Sequence, residues 1–195
     1  MKHPIWVLPD KSRFLRQRTI KLKSMGQDAH LLRDDLFDTW ETVAAYGIAA
    51  PQVGSSLRMF IWKGGAMEGP EVIVNPKIIR AQGELKDYDG CLSVPGIYGR
   101  TRRAALVELT GWDESGHSIR RTFQGFDARI IQHEVDHLEG VLFIDRIDDL
   151  NDLYVLEEEA QEDGETTSRQ AALDDRLLAF VTRERRPIPG HALIW

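Results

Sequence analysis

The chain has one cysteine, Cys91, among its 195 residues. An internal disulfide is excluded, and the fold must rest on its core alone. It lacks any run near the roughly 18 apolar residues needed to cross a bilayer. The start, Met1 to Phe14, is broken by Pro4, Pro9, Asp10 and Lys11 before it could act as an export signal. Excess positive charge is missing too. The formal net charge is −6, which leaves no broad footprint for nucleic acid. A short basic run, Arg183 to Arg186, reads as a solvated segment. No internal repeat is present. These absences predict a soluble protein of the reducing cytoplasm, with no membrane and no direct nucleic-acid partner.

What is there suits an ordinary globular domain: 42% hydrophobic and 29% charged residues. Residues 28 to 45 read as an amphipathic helix, with Leu31, Leu32, Leu36 and Val43 at roughly helical spacing. Asp28 is the expected cap and Gly47 the stop. Pro51 and Gly54 mark a loop before a strand at Met59 to Trp62. Val72 to Asn75 and Ile78 to Ile79 read as two short strands separated by Pro76. Ala105 to Trp112 and Ser118 to Phe123 flank Asp113-Glu114-Ser115-Gly116, which predicts a hairpin. Between these lies a Gly- and Pro-rich loop, Asp87 to Gly99. Trp40, Trp62 and Trp112 read as core or rim aromatics.

Asp127 to Gly140 predicts a second long helix. Phe126, Ile130, His133 and His137 step by helical intervals, and Ile131, Val135, Leu138 and Leu142 form an adjoining apolar stripe. A helix apolar over so wide an arc is buried. From Asp148 the chain turns acidic. Glu157-Glu158-Glu159 looks like a solvated helix face, Gln161 to Ser168 a surface loop, and Gln170 to Arg183 a last helix stopped by Pro187 and Pro189. The fold class expected is α+β: short antiparallel strands packed around the central His133-bearing helix, with an N-terminal helix and a C-terminal helical tail. Residues 1–150 are expected to form the catalytic domain, and 151–195 an acidic loop and helical tail packed upon it.

His133-Glu134-Val135-Asp136-His137 carries the chemistry. Residues four apart share a helix face, so both imidazoles can reach one metal ion, and Glu134 can handle the protons of a water there. Two histidines need a third ligand. A histidine six residues after the second would provide one, but that position is Phe143. Glu157 and Cys91 remain. Glu157 would make the protein a zinc peptidase of another class; Cys91, as a thiolate, is the softest ligand on offer.

Three segments bear on that choice: Gly47-Ile48-Ala49-Ala50-Pro51-Gln52, Gly90-Cys91-Leu92-Ser93, and Gln132-His133-Glu134-Val135-Asp136-His137-Leu138-Glu139-Gly140. Together and in this order they resemble the three motifs of the peptide deformylases, over roughly residues 25 to 147. The resemblance implies an enzyme that hydrolyses the formyl group from the N-terminal formylmethionine of nascent polypeptides, releasing formate. It implies Cys91, His133 and His137 as ligands of one divalent metal, usually Fe2+, with Zn2+, Ni2+ or Co2+ able to substitute. Glu134 would be the proton carrier, and the Gln52 amide and Leu92 N–H the donors that stabilise the developing oxyanion. Tyr46, Gly47 and Gly90 would contact the formylated peptide, and the ribosome would be a further partner through the basic C-terminal segment. The chain departs from the family pattern at Ala45, at Asp89 in place of glutamate, and at Tyr98 in place of arginine. Asp89 is expected to steady its loop through Arg103 or Arg102. Asp136 reads equally as a carboxylate that orients a ligand or as a surface ion pair. A scaffold that kept the motifs without turnover is the remaining alternative.

Overall fold

The computed structural model describes residues 1–160 and 166–188, with backbone only for 158–160 and 166. A five-stranded antiparallel sheet is built from β1 (Gly47–Ala49), β2 (Met59–Trp62), β3 (Glu71–Gln82), β6 (Leu106–Trp112) and β7 (Ser118–Gln124), in the order β1-β2-β3-β6-β7. A four-stranded sheet takes β4 (Leu85–Gly90), β5 (Tyr98–Arg103), β8 (Leu153–Ala160) and β9 (Thr166–Ala171), in the order β4-β5-β8-β9. The helices are α1 (Ser12–Leu15), α2 (Gln27–Trp40), α3 (Gly125–Leu138) and α4 (Asp175–Glu184). Among the described residues no helix is long and apolar enough to cross a membrane.

The first sheet is covered on both faces, which is why all four residues of β2 are buried. Met59 and Ile61 pack with Leu32 and Leu36 of α2, while Phe60 and Trp62 pack with Ile131, Val135 and Leu138 of α3. Trp62 meets Phe123 edge-on, so that tryptophan is core as its pattern suggests. Burying each such side chain contributes about 1.5–3 kcal/mol. The expected α+β class, with antiparallel strands about a central helix, is what the molecule has. At the end of α3, Gly140 adopts φ +74 where a Cβ would meet the Arg16 carbonyl oxygen at 2.5 Å, so only glycine suits this close crossing.

Several expected elements differ. The helix over 28 to 45 stops at Trp40, and it starts from Gly26 with no side-chain cap; Asp28 lies in its first turn. The two runs on either side of Pro76 are one strand, β3. Register shifts between Val74 and Lys77 absorb the proline, and Asn75 takes φ 50 there with its amide bonded both ways to the Leu22 backbone. Half of the expected 87–99 loop is strand, leaving only residues 91–97 between β4 and β5. Phe126 opens the apolar stripe of α3 yet is 49% exposed, whereas the polar Gln132 and Asp136 of the same helix are buried.

The tail differs most. Glu157 sits on a strand, not a helix, and residues 166–171 pair with β8 as a hairpin before α4 begins at Asp175. Residues 161–165 of the expected loop lie outside the described residues. Asp174 caps α4 by accepting from Leu177 N at 2.8 Å. The basic run after it is only partly solvated. Buried Asp145 accepts from Arg186 N at 2.7 Å and pairs with buried Arg16, which in turn donates to the Glu184 carbonyl at 2.6 Å. The tail is fastened to the body through this buried carboxylate and through Val181, which is buried with Leu15, Phe143 and Ile147.

Candidate metal centre and its cleft

Helix α3 packs on the first sheet, its polar side chains reach β4 and β5 of the second, and it carries His133, Glu134 and His137. Cys91 follows β4 directly. Its Sγ lies 3.2 Å from His137 Nε2, and the donor atoms of Cys91, His133 and His137 all fall within 4.8 Å of one another. The three donors are close enough together to share one ion, whose ordinary ligand distances are about 2.0–2.3 Å. The thiolate-and-imidazole set is soft and borderline in character, which suits a first-row transition ion. This is a possible metal site among the described residues.

Asp89 holds the first histidine. Its carboxylate is 2.8 Å from His133 Nδ1, which leaves Nε2 for the centre. Burial alone would lower the His133 imidazole, but Asp89 and then Cys91 raise it well above its ordinary value. His137 is driven the other way, first by burial and then by the charge of His133. Burial also opposes ionisation of Asp89, yet Arg103, His133 and Arg129 keep its carboxyl well below the usual range.

Those partners form a buried polar layer. Arg103 donates to Asp89 at 2.9 Å and to Asp136 at 2.7 Å, and Thr101 donates to Asp89 at 2.7 Å. Arg102 instead faces Glu84 and Asp148 at the surface, so the expected steadying arginine is Arg103. Asp136 bonds Arg103 and Arg146, and it is neither a surface pair nor a partner of a histidine ring. The shorter acid at position 89 reaches both its arginine and its imidazole.

Glu134 is 3% exposed, and its Oε2 has no hydrogen-bond partner among the described residues. Desolvation pushes its carboxyl up to about 7. Gly47 makes this placement feasible, since a Cβ there would lie 2.1 Å from Glu134 Oε1. Gln52 is also buried. Its carbonyl accepts from Ala49 N at 2.9 Å, and its amide points at Ser93 Oγ, 3.2 Å away, and at Cys91 Sγ, 3.8 Å away. The oxygen is thus tied to the loop while the N–H end faces the centre.

Tyr46, Gly47, Gln52, Gly90, Cys91, Leu92, His133 and Glu134 all line one cleft of about 500 Å³, with His137 buried next to it. The cleft is bordered by β1 and β4, the outermost strands of their sheets. The Tyr46 carbonyl already accepts from Lys63 N at 2.9 Å. By the alternation of an antiparallel ladder, the backbone groups of Gly47 then point to the free edge. Tyr46 offers its ring, 58% exposed and edge-on to Phe126. Glu157, the rival third ligand, pairs with Arg169 across the outer hairpin and is not part of this cluster.

Sequence reasoning missed His133's carboxylate, the Ser93 hydroxyl beside Gln52, and Arg129. The last was discoverable: Arg129 stands four residues before His133, on the same helix face. Asp89 is a strand residue whose partner lies 44 positions away, and no local pattern links them.

Residues 2–152 match the family described as Polypeptide deformylase. The chain belongs to the peptide deformylase family. Among curated relatives, the peptide deformylase of Thermomicrobium roseum is 36% identical over 161 residues, covering 79% of this chain and 92% of that one. The enzyme of Rhodopirellula baltica is 41% identical over 160 residues, covering 80% and 76%. The crystal structure of a peptide deformylase from Legionella pneumophila superposes with TM-score 0.71 at 36% identity, over 77% of this chain and 88% of that one. A Met-Ala-Ser-bound peptide deformylase from Acinetobacter baumannii gives TM-score 0.68 at 32% identity, over 75% and 99%. Deformylases are metal-dependent hydrolases that remove the N-formyl group from nascent chains, and the cluster at Cys91, His133 and His137 is where such a metal fits.

Proposed function

We propose that this protein hydrolyses the formyl group from formylmethionyl peptides, with Cys91, His133 and His137 holding the metal. The observation that carries this reading is the convergence of those three donors, from two segments far apart in sequence, beside the buried carboxylate of Glu134. The ion, Fe2+ first and otherwise Zn2+, Ni2+ or Co2+, supplies Lewis acidity toward water and the formyl oxygen.

The chain's own residues do the rest. An extended peptide enters as an added strand between β1 and β4, bonded to the main chain of Gly47 and Gly90. Its formyl carbon lies within reach of Glu134, whose carboxylate takes a proton from the attacking water. As the C–N bond breaks, Glu134 returns that proton to the departing amine, leaving formate and a free N-terminus. The Gln52 amide and the Leu92 N–H stabilise the oxygen as charge develops; one such donor is typically worth about 2.7–4 kcal/mol. The Met-Ala-Ser-bound Acinetobacter baumannii relative supports a methionyl peptide as the ligand. Residues 1–150 act as the catalytic unit on this reading, and the tail packs on it.

Formate release from formyl-Met-Ala-Ser by anaerobically prepared, metal-loaded protein tests the activity. No turnover above a metal-free control favours a silent scaffold. Cys91→Ser should abolish tight metal binding; unchanged metal content in that variant removes the ligand assignment. Elemental analysis of protein isolated without oxygen decides the ion. Contact with the ribosome is the outermost part of the reading, supported by the nascent-chain substrate and by exposed Arg176, Arg183 and Arg186. Unchanged ribosome co-sedimentation of a variant with all three reversed to glutamate would remove it.

A further inference from the structure

The cleft has an aromatic side wall to which the tail contributes. Tyr98 lies over Gly90, next to Cys91. A Cβ on Gly90 would be 2.8 Å from the Tyr98 ring. Tyr98 pairs in register with Tyr154 of β8, and the two rings stack at 5.7 Å with 21° between planes. Tyr88 of β4 meets Tyr154 edge-on at 6.0 Å, and all three rings line the cleft. The far end is held by Arg100, which donates to the Tyr88 hydroxyl at 3.2 Å while lying 5.1 Å over its ring, and the Gln170 side chain of β9 lies beside that hydroxyl. Tyr154 and Gln170 both fall beyond residue 152, where the family match ends.

We propose that the stacked Tyr98–Tyr154 wall, completed by the C-terminal hairpin, selects apolar and aromatic side chains in the residues that follow formylmethionine. The inference rests on the deformylase reading and deepens it. A shelf of flat apolar ring faces has little to offer a small or acidic side chain, but it stacks well against a ring. Successive side chains of an extended peptide face opposite ways, so only one of the two positions after methionine can lie on it. Tyr154 is a specificity-determining residue in this account, and the β8–β9 hairpin is part of the substrate site.

The test compares kcat/KM of the full metal-loaded chain on formyl-Met-Phe-Gly, formyl-Met-Gly-Phe and formyl-Met-Gly-Gly. Phenylalanine at one of the two positions should raise kcat/KM by about two- to tenfold, the range of an aromatic pair. The gain should lie in KM, with kcat little altered. Tyr154→Phe should retain the preference and Tyr154→Ala should collapse it toward unity. Where alanine unfolds the hairpin, Tyr154→Leu, apolar but ringless, should give the same collapse in a folded protein. Turnover with no preference, or a preference that survives loss of the ring, overturns the wall alone. No turnover of any formylated peptide overturns the deformylase reading, and the wall with it.

Discussion

The two sheets bury opposite kinds of side chain against the same helix. β2 and β3 turn Phe60, Trp62 and Ile73 toward α3, and the contact is apolar throughout. Over the same helix β4 and β5 turn Asp89, Thr101 and Arg103, and the contact is a network of charges. Apolar packing is non-directional and sets where α3 lies. Hydrogen bonds between buried charges are directional, and they set which way an imidazole faces. The molecule thus uses one sheet to place the helix and the other to aim His133. Only the second half of that arrangement needs charges, and it accepts their desolvation cost where the chemistry is.

The largest effect is expected at the buried carboxylate beside the three metal-binding candidates. Glu134→Gln should keep its metal and lose at least about two orders of magnitude in formate release, as loss of a positioned proton carrier does; near-normal rates would refute the proton role. On the apolar side, Gly47→Ala should displace the Glu134 carboxylate, because the added methyl would lie 2.1 Å from Oε1. A displacement near 1 Å can cost about a hundredfold, so kcat should fall by roughly ten- to a hundredfold with metal content unchanged. If the rate holds, the first sheet does not position the site through this glycine.

On the charged side, Asp89→Asn should weaken metal affinity by about 10- to 100-fold, the usual range for a lost partner of a ligating imidazole. It should also lower the melting temperature, because Arg103 and Arg129 lose their shared counter-charge. Competitive chelator titration and thermal melts read the two effects, and an unshifted affinity would dissolve the contrast between the sheets. The smallest effect belongs to the outer hairpin. Glu157→Ala breaks an exposed pair with Arg169 worth about 0–1 kcal/mol. It should leave metal content and rate unchanged; loss of metal would revive Glu157 as a ligand.

Strong local patterns carried the site a long way. His133 and His137 are legible because helical spacing alone brings them to one face, and Cys91 because the Gly90–Ser93 motif accompanies it. The 106–124 hairpin was legible from its turn residues. Glu157 was misread because a run of three acids looks the same on a solvated strand as on a solvated helix. The strand pairing that decides the matter, β8 with β9, is a tertiary fact. Asp136 could be read equally as an orienting carboxylate or a surface pair, and charge and amide usually mean solvent, yet Asp136 and Gln132 are buried. Here Arg103, Arg146 and the Ala104 backbone, all supplied from elsewhere in the chain, satisfy them. The basic run is solvated at Arg183 and Arg186, but the Arg186 backbone is anchored on buried Asp145, a partner no local pattern signals.

By itself the sequence determined the family, the helix that bears the histidines, and the donor types, because each is written in spacings of a few residues. Tertiary structure alone decided that Asp89 holds His133, that Gly47 makes room for Glu134, and that Tyr154 reaches the cleft. Those relations join residues dozens of positions apart, and only the meeting of two sheets over one helix brings them within hydrogen-bonding or van der Waals distance.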